Sequence, residues 1–412
     1  MYKENSVMQR IPRPAHLNEI IGYRDTAQLV KVITGIRRCG KSTLLEMYQD
    51  YLLAHGVKGR QVQSINLDDA ANRDIDRWEA LHDKLASGLL DNARNYLFID
   101  EVQNVPDFQR AVDSLALRKN VDLYITGSNA NLLSGELATL LSGRYVEIKM
   151  QPLSFAEYLS ALPEASDLPV AFNTYVTDGS FPYTLAFGSN RRQIDSYLDA
   201  VYNAVVLKDV IARNRVGDPV RLEKVIRYIA DNIGNLTSIN NIKKQMESDR
   251  FKIDVRTIEN YLDALVRSFI LYRVGRYDVK GKDWLKTNDK YYIADLGLRR
   301  MLTGRGTGDF GRVLENAVYL ELLRRGYRSI GVGKVGDKEV DFVAAKYDGG
   351  CEYFQVAQTI LDEKTLAREF SALDAIDDHY PKTILSMDTF TFERNGIRQM
   401  NALAWLRGNE TT

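Results

Sequence analysis

The sequence predicts an α/β protein: a parallel-sheet region first, then a helical region, a helix-turn-helix with two strands, and a second α/β region. Three observations carry that prediction. Strand candidates at 30–34, 63–67, 96–100, 122–126 and 145–149 alternate with helical periods at 77–90 and 108–117, and such alternation builds parallel sheets covered by helices. A glycine-rich turn, Gly35-Ile-Arg-Arg-Cys39-Gly40-Lys41-Ser42, separates the first of these strands from a helix expected over 41–53. The run Tyr96-Leu-Phe-Ile-Asp100-Glu101 is apolar until it ends in two acids.

The later elements follow in order. Residues 160–168, rich in Ala, Pro, Ser and acids, read as a surface loop, and 170–235 read as helical with a break at Gly179-Ser180-Phe181-Pro182. From 238 to 293 the pattern becomes helix, turn, helix, then strands at 269–274 and 291–294. A glycine-rich linker opens at Gly304, followed by a helix over 312–325, strands within 327–357, a polar helix near 362–378 and a strand at 382–387. The expected domains are therefore 1–160, 161–236, 237–303 and 304–412.

Composition bounds the function. With 412 residues the chain exceeds the roughly 250–300 residues at which a single core stops growing. Lys plus Arg and Asp plus Glu number 55 each, a net charge of zero, which excludes a uniformly basic nucleic-acid coat and an acidic solvating tail. Two cysteines exclude a disulfide scaffold or a four-cysteine zinc site. No apolar run approaches the roughly 18 residues that span a bilayer, and the first ten residues lack the apolar centre of a signal peptide. A cytoplasmic protein with no membrane partner is the expectation. The zero hides a pattern. Residues 1–200 hold 21 basic and 25 acidic side chains, 201–300 hold 20 and 13, and 301–412 hold 14 and 17, giving −4, +7 and −3.

The glycine-rich turn matches G-x-x-x-x-G-K-[ST]. Gly35 and Gly40 let backbone N–H groups curl around phosphate oxygens, with Cys39 inside the loop and Thr43 in the first helical turn. Lys41 would reach the β- and γ-phosphates and Ser42 would ligate Mg²⁺. The helix adds the positive end of its dipole. ATP with Mg²⁺ is the expected ligand. Asp100, delivered to a strand end beside the loop, would hold the Mg²⁺ shell, and Glu101 would polarise the attacking water. Thr126-Gly127-Ser128-Asn129 reads either as turn chemistry or as a polar sensor of the γ-phosphate, for which Ser128 and Asn129 both fit. Arg144 opens the next strand, either as a surface arginine or as one reaching a neighbour's γ-phosphate. Cys39 reads as a small filler or as a thiol of lowered pKa.

In this order, G-I-R-R-C-G-K-S-T, L-F-I-D-E-V-Q, I-T-G-S-N and L-S-G-R, the sequence resembles AAA+ ATPases of a bacterial and archaeal group with a C-terminal half of unknown function. The resemblance continues in Leu207-Lys-Asp-Val-Ile211, Ile293-Ala-Asp295-Leu-Gly-Leu, Arg312-Val-Leu-Glu315-Asn316, Glu339-Val-Asp341-Phe342 and Tyr380-Pro-Lys382. It implies ATP hydrolysis, a sensor role for Asn129, an arginine-finger role for Arg144, and a homo-oligomeric ring, often of six subunits.

The basic block holds the layout of a winged helix. A helix capped near Ser238 and a second over 255–266 precede two strands joined by Lys280-Gly-Lys282-Asp-Trp-Leu-Lys286. In the DNA-binding use of this layout the second helix enters a major groove and the lysine-rich segment is the wing. Lys243, Lys244, Arg256, Lys280, Lys282 and Lys286 would then meet phosphates. The same layout also serves protein packing.

In the last block, Glu315 on a helix, Asp341 after a strand and Gln355 on the next resemble the acid order of PD-(D/E)xK nucleases. There, carboxylates hold Mg²⁺ and a lysine orients the attacking water. Here the third motif reads Gln355-Val-Ala357, with alanine where lysine is expected and a neutral amide where a carboxylate would ligate better. Lys346 and Lys364 are the substitutes nearest in sequence. The expectation is an inactive nuclease-like fold serving binding or assembly. A DNA-remodelling ring is the leading reading, with a nucleotide-switched protein scaffold and an ATP-licensed nuclease as rivals.

Overall fold

The computed structural model describes residues 10–26, 28–133, 136–163, 166–212, 217–304 and 309–408. The side chains at 131, 133, 136–138, 207, 208, 212, 286 and 287 lie outside that description, as do residues 305–308 of the expected linker and the Leu207 and Lys208 side chains of the resemblance motif. The chain divides into two units, Met1–Pro152 with Arg267–Phe269, and the remainder. Among the described residues no helix is long and apolar enough to cross a membrane.

The first unit runs α1 (Pro14–Gly22), β1 (Val30–Thr34), α2 (Lys41–Ala54), β2 (Val62–Asn66), α3 (Trp78–Ala86), β3 (Asn95–Asp100), α4 (Phe108–Ala116), β4 (Val121–Gly127), α5 (Glu136–Leu141) and β5 (Tyr145–Lys149). All five strands are parallel in the order β2-β3-β4-β1-β5. The three central strands are buried along their whole length. That is why they read as unbroken apolar runs rather than alternating ones. Leu97, Ile99, Leu123 and Ile125 pack against Leu81 and Leu85 of α3 and Val112 and Leu115 of α4. Because β4 lies between β1 and β3, whatever follows β4 falls between the glycine-rich loop after β1 and the acids after β3.

The second unit begins with α6 (Phe155–Ser160), α7 (Leu168–Asp178) and α8 (Arg191–Ala204), which runs into a π-helical stretch, Val205–Ala212. Then come α9 (Pro219–Asp231), α10 (Ile239–Ser248), α11 (Val255–Arg267), β6 (Leu271–Asp278), β7 (Asp283–Ile293) and α12 (Leu296–Thr303). The unit ends with α13 (Phe310–Arg324), β8 (Ser329–Val335), β9 (Lys338–Ala345), β10 (Cys351–Ala357), α14 (Glu363–Asp374), β11 (Lys382–Ser386), β12 (Phe392–Arg394), β13 (Ile397–Asn401) and α15 (Ala402–Leu406).

Two sequence expectations change here. The strands expected at 269–274 and 291–294 are the outer ends of a longer hairpin, β6–β7, closed by a turn at 279–282. β7 is the last strand of its sheet, and its stretch Lys286-Thr-Asn-Asp-Lys290 carries the polar residues that read as loop. The lysine-rich segment is thus mostly strand, not an extended wing. The boundary expected at 303/304 has no counterpart in the sheet. One eight-stranded sheet runs β12-β13-β11-β10-β9-β8-β6-β7, and β6 pairs in parallel with β8 through Arg276–Val332, Tyr277–Gly333 and Asp278–Lys334. The hairpin β12–β13 was not read from the sequence, although its Asn395-Gly396 turn, at φ +53° and +73°, is a strong hairpin signal.

Candidate nucleotide site

Gly35 leaves β1 at φ +152°, and a Cβ there would lie 2.0 Å from the Met150 carbonyl oxygen, so glycine is required where the loop turns past the end of β5. Gly40, at φ +106°, caps α2. Lys41 is the first residue of α2 and is buried. Its Nζ donates to the Gly35 and Ile36 carbonyls at 3.1 and 3.3 Å and lies 3.6 Å from Glu101. Ser42 is exposed at the open end of the helix. Behind the loop, Arg13 is buried and donates to the Cys39 carbonyl at 3.0 Å and the Gln151 carbonyl at 2.8 Å. Burial pushes the Cys39 thiol above its usual range despite the nearby Lys41 and Arg13. That environment makes it a filler rather than a reactive thiolate.

The acids converge on the same end of the sheet. Asp100 accepts from Asn66 Nδ2 at 3.0 Å and from the Thr126 hydroxyl through its other oxygen. Thr126 Oγ1 in turn accepts the Glu101 N–H at 2.9 Å. Glu101 stands in the left-handed region at φ +54°, a conformation that costs energy in a side-chain-bearing residue and is concentrated at functional sites. Gln103 Nε2 donates to its carboxylate, and Arg37 lies 3.8 Å from it and 3.5 Å from Asp68. Asn66, Gln103, Arg37 and Arg13 were not assigned from sequence. Asn66 is revealed by the register of β2 on β3, which sets it beside Asp100.

Asn129 follows β4 and is buried, with Ser128 beside it, between the loop and the acids as the strand order requires. Arg144 lies at the other end of the sheet. It precedes Tyr145, which pairs with Val30 at the start of β1, while the loop follows Thr34. Five residues of strand separate the two, about 17 Å at roughly 3.3 Å per residue. Its guanidinium pairs with Asp113 of α4 at 2.8 Å and donates to the Leu141 carbonyl at 3.2 Å.

Residues 27–159 match a family described as an AAA domain, and 170–309 match a domain of unknown function. An uncharacterized protein of Haemophilus influenzae is 38% identical over 404 residues, which is 96% of this chain and 98% of that one. The chain belongs to the same family as that protein. An uncharacterized protein of Methanocaldococcus jannaschii is 29% identical over 407 residues, 93% of this chain and 87% of its own. Among solved structures, a Walker-type ATPase of Pyrococcus abyssi is 17% identical with a TM-score of 0.48, covering 71% of this chain and 96% of that one. The first unit, which holds the matched AAA domain, is the P-loop α/β fold expected from sequence.

Part of the basic block is paired within the fold. Arg299 pairs with Asp309 and Arg300 with Asp195, and Lys290 meets Glu315, Glu339 and Asp341. All five acids come from outside 201–300, so three of the block's cations are neutralised by its flanks. Arg273 pairs with Asp263 of α11, and Lys243 lies 3.6 Å from Glu247. Lys244, Arg256, Lys280 and Lys282 are exposed. Lys286 lies on β7, with its side chain outside the described residues. The outward polar set of α11 also includes Glu259, Asn260 and Asp263.

Glu315, Asp341 and Gln355 are brought together, and all three are buried. The two lysines nearest in sequence are engaged elsewhere or exposed. Lys346 pairs with Glu352 at 2.6 Å, and Lys364 lies in the exposed first turn of α14. The ammonium at this cluster is that of Lys290, on a strand the sequence had read as loop.

Proposed function

We propose that this chain hydrolyses ATP and couples the cycle to work on DNA as an oligomeric ring. The observation that supports hydrolysis above all is the convergence of Lys41, Asp100 and Glu101 at one end of the parallel sheet. The fit to a nucleoside triphosphate rests on the chain's own features: a loop closed on Met150 where only glycine enters, a lysine held by loop carbonyls and Glu101, and a helix N-terminus with Ser42 open. Lys41 would exchange those carbonyls for β- and γ-phosphate oxygens. Ser42 and the Asp100 region would hold Mg²⁺, which supplies charge neutralisation on the phosphates. Asn66 and Thr126 fix the Asp100 carboxylate. Glu101, oriented by Gln103 and Arg37, would accept hydrogen bonds from the attacking water, and Asn129 would contact the γ-phosphate. Arg144, remote from its own loop, would serve a neighbouring subunit.

DNA would be met through Lys244, Arg256, Lys280 and Lys282. A second reading, a nucleotide-switched scaffold that binds a protein, is favoured by a different observation: the α11 groove is lined by Glu259, Asp263 and Asp289 as well as by Arg256 and Arg273. ATPase rate and binding measured with duplex, forked and four-way DNA across a salt series separate the two. Stimulation with a steep salt slope supports the DNA reading, and no response to any DNA at low salt overturns it. The engine is tested by Lys41→Ala, expected to lose nucleotide binding, and Glu101→Gln, expected to bind ATP and stall. Undiminished turnover in Glu101→Gln refutes its role.

A further inference from the structure

The acid cluster of the second unit is occupied by the protein itself. Lys290 projects from β7, and its Nζ lies 2.9 Å from Glu315 of α13, 2.9 Å from Glu339 of β9 and 3.5 Å from Asp341 of β9. A protonated lysine has three N–H donors and no acceptor, and here it faces three carboxyl groups from two other elements. We infer that Lys290 is the resident cation of this cluster. It takes the place a divalent metal would fill and makes the cluster the joint that fixes the β6–β7 hairpin to α13 and β9.

The remaining polar atoms are committed in the same sense. Glu315 Oε1 also accepts the Tyr292 hydroxyl at 2.6 Å, two residues along the same face of β7. Its other oxygen borders Gly234, where a Cβ would lie 3.0 Å away. Asp341 Oδ2 accepts the Val356 N–H at 2.8 Å. Gln355 Oε1 accepts the Asp341 N–H at 3.2 Å, and its amide donates to Glu369 at 2.7 Å. The carbonyl that would serve as a ligand is therefore turned to the backbone. Next to Glu315, Asn316 donates to the Ile293 carbonyl at 3.0 Å and accepts the Ile293 N–H at 2.9 Å, which satisfies β7 as a neighbouring strand would. Glu315-Asn316 thus ties α13 to β7 twice, once through an ion pair and once through a backbone mimic.

A buried carboxylate cluster without its cation is strongly unfavourable. Lys290 therefore acts as a positioning residue for the hairpin, and this cluster needs no metal to be stable. The inference is tested on the full-length, nucleotide-free protein with Mn²⁺ as probe. Mn²⁺ binding is expected to be the same for the natural chain and for Asp341→Asn. A site in the natural chain that Asp341→Asn removes overturns the inference and points to a metal-dependent hydrolase. In parallel, Lys290→Met is expected to lower amide-exchange protection across 283–293 by at least about tenfold. Unchanged protection overturns the joint. Should Lys290→Met not fold, Glu315→Gln provides the same exchange readout at the partner side, with the same deciding outcomes.

Discussion

The Arg13 guanidinium donates to the Cys39 carbonyl at 3.0 Å, from behind the glycine-rich loop. A trans peptide holds its C=O and N–H on opposite sides. Pinning the Cys39 carbonyl toward Arg13 therefore aims the Gly40 N–H away from it, the orientation an anion-binding loop needs. A second bond from Arg13 to Gln151, at 2.8 Å, anchors the loop to the end of β5. Arg13→Gln is expected to weaken nucleotide affinity by about tenfold, the equivalent of roughly 1.4 kcal/mol and near the worth of one charge-assisted hydrogen bond. Arg13→Lys, with a single ammonium where a two-pronged donor sat, is expected to recover only part of it. Titration with a fluorescent ATP analogue measures both. Wild-type affinity in Arg13→Gln contradicts the positioning role.

Arg144 tests whether the site is completed in trans. Its ion pair with Asp113 is about one-third exposed on the arginine side, so the pair itself holds the fold weakly and is exchangeable for a neighbour's phosphate. Arg144→Ala is expected to keep nucleotide binding and to lose turnover by about 10³-fold or more. Mixing it with Lys41→Ala chains is expected to restore activity, because each supplies the part the other lacks. Failure of the mixture, with both proteins folded, removes the trans assignment.

How much of this was readable from the sequence depends on where each signal resides. The loop, Asp100-Glu101 and the five parallel strands were legible because an apolar run that stops abruptly at polar residues marks a buried strand meeting the open edge of its sheet. Asn66 and Arg13 were not, since a lone polar residue at a strand end and an arginine before a helix are common; only the register of β2 on β3 and the burial of Arg13 reveal them. The net charge of 201–300 pointed to nucleic acid, yet Lys290, Arg299 and Arg300 are paired with acids outside that block, and counting within the block cannot see such partners. Lys290 escaped for the same reason as β7, because an edge strand with consecutive polar residues at 286–290 looks like loop.

The motif Ile293-Ala-Asp295-Leu-Gly297-Leu gives a stability prediction. Asp295 is fully buried, caps α12 through the Leu298 N–H at 2.8 Å and accepts the Ser180 hydroxyl at 2.8 Å. Gly297 lies directly against Gly179, and a Cβ there would sit 2.6 Å from the Gly179 Cα and N. Both obstacles are backbone, so they cannot rotate aside. Gly297→Ala is expected to destabilise the second unit by about 1–3 kcal/mol, the range for overpacking, and to leave nucleotide affinity unchanged. Thermal or urea unfolding followed alongside nucleotide titration checks both halves.

Asp341 makes the stability of the second unit depend on pH in an unusual direction. Burial and the neighbouring Glu315 push its carboxyl up to about 8, against the opposing pull of Lys290 and the Val356 N–H. Glu339 and Glu369 also face it. In the unfolded chain the same group ionises near 4. Between these values the folded state holds a proton that the unfolded state has lost, so folding stability falls as pH rises from about 4 to about 8, with a slope of at most about 1.4 kcal/mol per pH unit. Asp341→Asn carries no titrating carboxyl and is expected to flatten that part of the curve. Urea unfolding of both proteins at intervals from pH 5 to 8 gives the difference directly. A natural chain whose stability does not decline relative to Asp341→Asn over this window places the Asp341 carboxylate in its ionised form, held by Lys290 and the Val356 N–H.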